Sequence, residues 1–131
     1  LHVRSRRQRQ MCIRDRLRLA FSESLDYLEL SQVRTDLDWR INRSFDAKIC
    51  LKLYEIFQNI LETYQPHMSS ISLIFADKRR RPELKIKVIS SKTFSLFKEL
   101  EKNYRKEGIL IHENFSGDQI NWTISIERGA L

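Results

Sequence analysis

The sequence predicts an α/β fold, a two-layer α/β sandwich with helices on one face of a mostly antiparallel sheet, in the order α-β-α-β-β-α-β-β. Three observations carry that expectation. Residues 44–68, SFDAKICLKLYEIFQNILETYQPHM, repeat apolar residues at steps of three and four, the period of a helix with one buried face. Residues 33–41, VRTDLDWRI, alternate strictly, the period of a half-buried strand. Two later stretches pair alternating segments across turn-forming residues, which signals hairpins. One layer of helices must then cover one sheet.

In chain order, Leu17–Leu30 places Leu19, Phe21, Leu25, Leu28 and Leu30 at roughly helical spacing. The strand 33–41 sets Val33, Thr35, Leu37, Trp39 and Ile41 against Arg34, Asp36, Asp38 and Arg40. In the long helix, Ile49, Leu53, Ile56, Ile60 and Tyr64 form the stripe, widened by Cys50, Phe57 and Leu61. Ser44 is the expected N-cap, Asp46 suits the positive end of the helix dipole, and Pro66 marks the far end. About 21 helical residues would span roughly 30 Å. Ser70–Ala76 and Glu83–Ser90 read as antiparallel strands around a charged turn at 77–82, DKRRRP, whose arginines belong to a solvated tip. Thr93–Tyr104 reads as a helix closed by Gly108. Ile109–Glu113 and Gln119–Glu127 read as a hairpin around Ser116, Gly117 and Asp118. Trp39 and Trp122 fall on apolar strand faces and belong to the core.

With 131 residues, 41% of them hydrophobic and 31% charged, the chain has the composition of a single globular domain. No apolar run reaches the roughly 18 residues of a membrane span, and nothing resembles a signal peptide. Cys12 and Cys50 are too few for a disulfide scaffold or a zinc cage, so both are expected as reduced thiols. The net charge of +7 is localised. Residues 1–18 carry seven arginines against Asp15, and the remainder carries 17 basic against 16 acidic residues. A basic nucleic-acid-binding arm therefore depends on the head alone. Arg9–Arg16, RQMCIRDR, resembles translated sequencing-adapter read-through. Residues 1–16 are therefore set aside as a non-native or disordered head, and 17–131 are read as one domain at the C-terminal end of a longer protein.

There is no P-loop, G-x-G-x-x-G or G-x-S-x-G motif, and the histidines and cysteines lack metal-ligand spacing. Leu53–Met68, LYEIFQNILETYQPHM, however, resembles the N-box helix of sensor histidine kinases, members of the GHKL ATPase family that includes gyrase and MutL. ELKIKVIS sits where that family's D-box strand leads to an Asp and a glycine, and the final hairpin is similar to its closing one. The likeness covers roughly residues 20–127 and implies a Bergerat-like ATP-binding domain of a bacterial two-component sensor.

In that register the family's general-base acid falls on Asn59, its magnesium-holding Asn on Thr63, and its His on His67. The adenine-reading Asp falls on Ser90, followed by Ser91 and Lys92 instead of a glycine. No glycine lies between Ser90 and Gly108, although a Gly-rich lid is what lets backbone N–H groups approach phosphates. A register one turn earlier puts an acid and an Asn at Glu55 and Asn59, at the expense of the other agreements. His2, His67 and His112 lack the acidic helical context of a phosphate acceptor. The resemblance thus implies a degenerate histidine-kinase-type domain with reduced or lost ATP and Mg²⁺ binding. It would act as a cytoplasmic interaction module toward a sensor dimer partner or a response regulator. The rivals are an active ATP-dependent protein histidine kinase and, from the head, a basic nucleic-acid-binding module.

Overall fold

The structure is a computed structural model that describes residues 2–42 and 46–127, with side chains from Arg16 onward. Its elements are α1 (His2–Leu30), β1 (Arg34–Trp39), α2 (Ala47–Tyr64), β2 (Met68–Lys78), β3 (Arg81–Ser90), α3 (Phe97–Tyr104), a 3₁₀ turn (Arg105–Glu107), β4 (Ile109–Ser116) and β5 (Gln119–Ile126). The five strands make one sheet in the order β1-β2-β3-β5-β4. β1 runs parallel to β2, and every other pairing is antiparallel. The parallel pair follows from the connection, because a return through α2 delivers β2 in the direction of β1.

The sheet's inner face is apolar. Ile71, Leu73 and Phe75 of β2, Leu84, Ile86 and Val88 of β3, and Ile120, Trp122 and Ile124 of β5 are all buried. The alternate positions Lys85 and Lys87 face outward, beside Asn121 and Thr123. All eight apolar residues expected on α2 are buried, and they fill the space above that inner face. Ser44, the expected N-cap, lies outside the described residues. Asp46 caps the helix instead, its carboxylate accepting from Lys48 N–H at 2.9 Å.

α1 runs alongside α2 in the same direction. Phe21 meets Phe57 edge-on with centroids 4.9 Å apart, and one turn later Gln58 donates to the Ser24 hydroxyl. The helix continues toward the N-terminus beyond Leu17, through residues set aside in the sequence, whose Arg, Gln and Met are good helix formers. Leu17, Phe21, Leu25 and Leu28 are buried, whereas Leu19 and Leu30, expected on the same stripe, are 56% and 83% exposed. The stripe is strict at three- and four-residue steps, and Leu19 and Leu30 fall off it.

Two turns differ from expectation. The β2–β3 connection is only Arg79–Arg80, with Asp77 and Lys78 drawn into the ladder opposite Pro82 and Arg81. Ladder hydrogen bonds come from the backbone, so charged side chains do not end a strand whose outer face is solvated. Both turn residues have positive φ, 54° and 66°, as a two-residue hairpin of the I′ kind requires. For a residue with a Cβ that conformation costs roughly 1–2 kcal/mol. Second, α3 begins at Phe97 and not at Thr93, because the segment before it is held elsewhere. Gly108, at φ 79°, closes the 3₁₀ turn in the left-handed conformation.

Candidate functional site

One end of the sheet gathers the end of α2, the start of β2, the end of β3 and the β4–β5 turn, and this is where most of the sequence-predicted positions meet. Tyr64 is the last residue of α2 and is fully buried. Its ring packs edge-on against Trp122, centroids 5.3 Å apart, and against Phe94 at 5.7 Å. Its hydroxyl accepts from Phe94 N–H at 2.6 Å and also donates to the Phe94 carbonyl. A buried phenol must find partners, and here one residue supplies both. Burial, opposed by the bond to Phe94 and reinforced by the charge of Glu113, raises the Tyr64 phenol above its ordinary value.

The same segment is fixed a second time from β4. The Glu113 carboxylate accepts from Ser95 Oγ at 2.6 Å, Leu96 N–H at 2.9 Å and Trp122 Nε1 at 2.9 Å. α3 has no cap from its own side chains, and Glu113 takes that place across the fold, where a carboxylate suits unpaired N–H groups. Residues 91–96 are thus bolted to α2 through Tyr64 and to β4 through Glu113.

The motif positions sit around this latch. Ser90 is buried, with its hydroxyl donating to the Lys92 carbonyl at 2.6 Å and its N–H to the Asp118 carbonyl at 2.9 Å. His67, half-buried, carries its ring 5.7 Å from that of Phe94, and its carbonyl accepts from Ser91 N–H at 3.0 Å. The Thr63 hydroxyl donates back to the Asn59 carbonyl at 3.1 Å. A depression of about 510 Å³ remains open between His67, Ser90, Ser91, Thr93 and Asp118.

Glu55 and Asn59 do come together, one turn apart on α2, at the Tyr104 hydroxyl. That hydroxyl donates to Glu55 at 3.1 Å. Burial, followed by the Glu55 bond and charge, pushes the Tyr104 phenol up to about 12, with a hydrogen bond from Asn59 acting in the opposite direction. Lys52 completes the group, 3.7 Å from Glu55 and 3.5 Å from Glu107. These residues tie α2 to α3 and its 3₁₀ extension. His112 is exposed on β4, away from both groups.

The positions that the resemblance points to make contacts within the fold. The hydroxyls of Thr63 and Ser90 are engaged on backbone carbonyls, Asn59 is turned to Tyr104, and the segment after Ser90 is latched down. The sequence pointed to Asn59, Thr63, His67 and Ser90. It did not point to Phe94 and Glu113, whose partners lie 9 to 30 residues away. The one available signal was Tyr64 itself, a phenol on an apolar stripe.

No protein-family profile and no curated protein matches the sequence. Solved structures do. The Acinetobacter baumannii histidine kinase AdeS superposes with a TM-score of 0.61 at 14% identity, over 89% of this chain and 64% of its own. The nucleotide-free catalytic domain of histidine kinase ThkA gives 0.59 at 12% identity, over 90% of both chains. ThkA in complex with the response regulator TrrA gives 0.56 at 13% identity, over 87% of this chain and 39% of that one. The chain thus spans under two thirds of AdeS but nearly all of the ThkA catalytic domain. At these identities the likeness is one of architecture, and the architecture is that of a histidine-kinase catalytic, ATP-binding domain.

Proposed function

We propose that this domain is a histidine-kinase-type catalytic domain whose nucleotide pocket has been closed, and that it serves signalling as a protein-binding module. The observation that carries the proposal is the Tyr64–Phe94 latch. It holds the segment after Ser90, where the family keeps a mobile lid, against the helix that would face the nucleotide. Its partner is a second sensor chain or a response regulator, by analogy with ThkA and TrrA, and its setting is cytoplasmic. No helix among the described residues is long and apolar enough to cross a membrane.

Calorimetric and thermal-shift titration of the chain with ATP and ADP, with and without Mg²⁺, tests this. The expected result is no saturable heat and no rise in melting temperature up to millimolar nucleotide. Saturable binding in the micromolar range, with the mass-action rise in melting temperature that it must cause, would sink the proposal. It would favour the rival reading of an active kinase domain, which rests on the acid and amide brought together at Glu55 and Asn59.

A further inference from the structure

We propose that the β2–β3 hairpin tip is a binding site for a phosphate-bearing ligand, separate from the latched end of the domain. β2 is 11 residues long, so the tip stands roughly 30 Å from Ser90 and His67. Lys78, Arg79 and Arg81 converge there on a notch of about 260 Å³, completed by Pro82, Glu83 and Ser125. Among the described residues none of these three cations has an acidic partner, whereas Arg80 is engaged within the protein. Glu83, the one acid of the notch, is taken by Lys85 at 3.7 Å. Three like charges are therefore held around one small space that a single carboxylate shares.

The backbone makes the arrangement more telling. A two-residue turn with both φ positive favours Asn-Gly or Asp-Gly, yet this chain puts two arginines there, at φ 54° and 66°. Pro82, buried behind the turn, fixes the path of β3 just past Arg81. Arginine offers a planar fork of donors that matches phosphate oxygens bidentately, lysine adds a point charge, and the Ser125 hydroxyl supplies a neutral donor. A lone carboxylate would leave most of these donors unused. The chemistry fits a phosphate group with two or more negative charges, carried by a soluble phosphorylated compound or by an anionic lipid headgroup.

The experiment follows backbone amide shifts of the whole chain during titration with inorganic pyrophosphate. Saturable shifts are expected at residues 78–81, at Glu83 and at Ser125. In Arg79→Gln/Arg81→Gln the affinity should fall about tenfold or more, the usual worth of charge-assisted hydrogen bonds. Lys98→Gln/Lys102→Gln, which removes the same charge from α3, should leave it unchanged. Arg79→Gly leaves Arg80 and its contacts in place and relieves the positive φ at the first turn position. It should raise the melting temperature while weakening pyrophosphate binding, a combination that a purely structural role for the arginines excludes. Flotation with phosphatidic acid vesicles, against phosphatidylcholine vesicles, identifies the source. Capture that pyrophosphate reverses indicates a lipid headgroup, and amide shifts without capture indicate a soluble phosphate. No saturable shift, equal losses in both double variants, or vesicle capture without pyrophosphate binding would each overturn the proposal.

Discussion

Glu113 carries more of this fold than any motif position. Three donors from two different segments converge on its carboxylate, so Glu113→Ala leaves the Trp122 indole N–H and the Leu96 N–H without their acceptor. Each orphaned buried donor costs about 1–3 kcal/mol. Denaturant unfolding of Glu113→Ala should register the sum of the two, about 2–6 kcal/mol, and hydrogen exchange should quicken first in residues 95–104. Glu113→Gln, which keeps one acceptor oxygen, should lose less. At Tyr104 the relevant variable is pH. The folded phenol holds its proton up to about 12, whereas an unfolded tyrosine releases it near 10. Between those values the native state binds more protons than the unfolded one, so stability is intact below the lower value and falls as pH rises through the window. Tyr104→Phe should flatten that fall when unfolding midpoints are measured from neutral to strongly alkaline pH. None of this was legible beforehand. A glutamate on a strand and a tyrosine at a helix end look like surface and core, and only the fold brings their partners to them.

Elements were more legible than contacts, for a physical reason. α2 declares itself because its apolar stripe and its terminating Pro66 are local, and all eight stripe residues are buried; its cap is Asp46, two residues past the expected Ser44. Ile60→Ala, fully inside the core, should cost about 2–5 kcal/mol. Asp46→Ala should cost about 1 kcal/mol through the lost cap. Both are measurable as shifts in urea midpoint with unchanged slope. α3 was misplaced by four residues because its start is set by Tyr64 and Glu113, not by its own sequence. The β2–β3 turn was overestimated because charge and a proline look like loop, while an outward-facing ladder accepts both. Leu19 and Leu30 misled in the opposite direction, since a leucine count cannot tell the stripe from its flanks.

At the scale of the molecule, the order of elements and the single sheet were readable from periodicity and turn chemistry. The parallel β1–β2 pair then followed from the α2 crossover. The site was readable only in part: the sequence picked out Asn59, Thr63 and Ser90, while the Tyr64–Phe94 contact beside them is visible only in the fold. A whole-molecule expectation follows from the charge distribution. Because residues 19–131 are nearly neutral, removing residues 1–18 should abolish most salt-dependent retention on a cation exchanger, with the hairpin tip accounting for the remainder. Equal retention with and without them would place the basicity in the domain.

The fold also carries its own optical gauges. The chain has two tryptophans, and they look out on different regions. Trp39 lies over the Phe75 ring, centroids 4.9 Å apart, on the strand that leads toward the hairpin tip. Trp122 touches Tyr64 and bonds to Glu113, on the latch side. With Trp39 replaced by Phe, the emission of the chain would come from a single indole whose surroundings change whenever residues 91–96 lift off. A partner that opens that segment should then announce itself as a red shift in fluorescence, with no label attached.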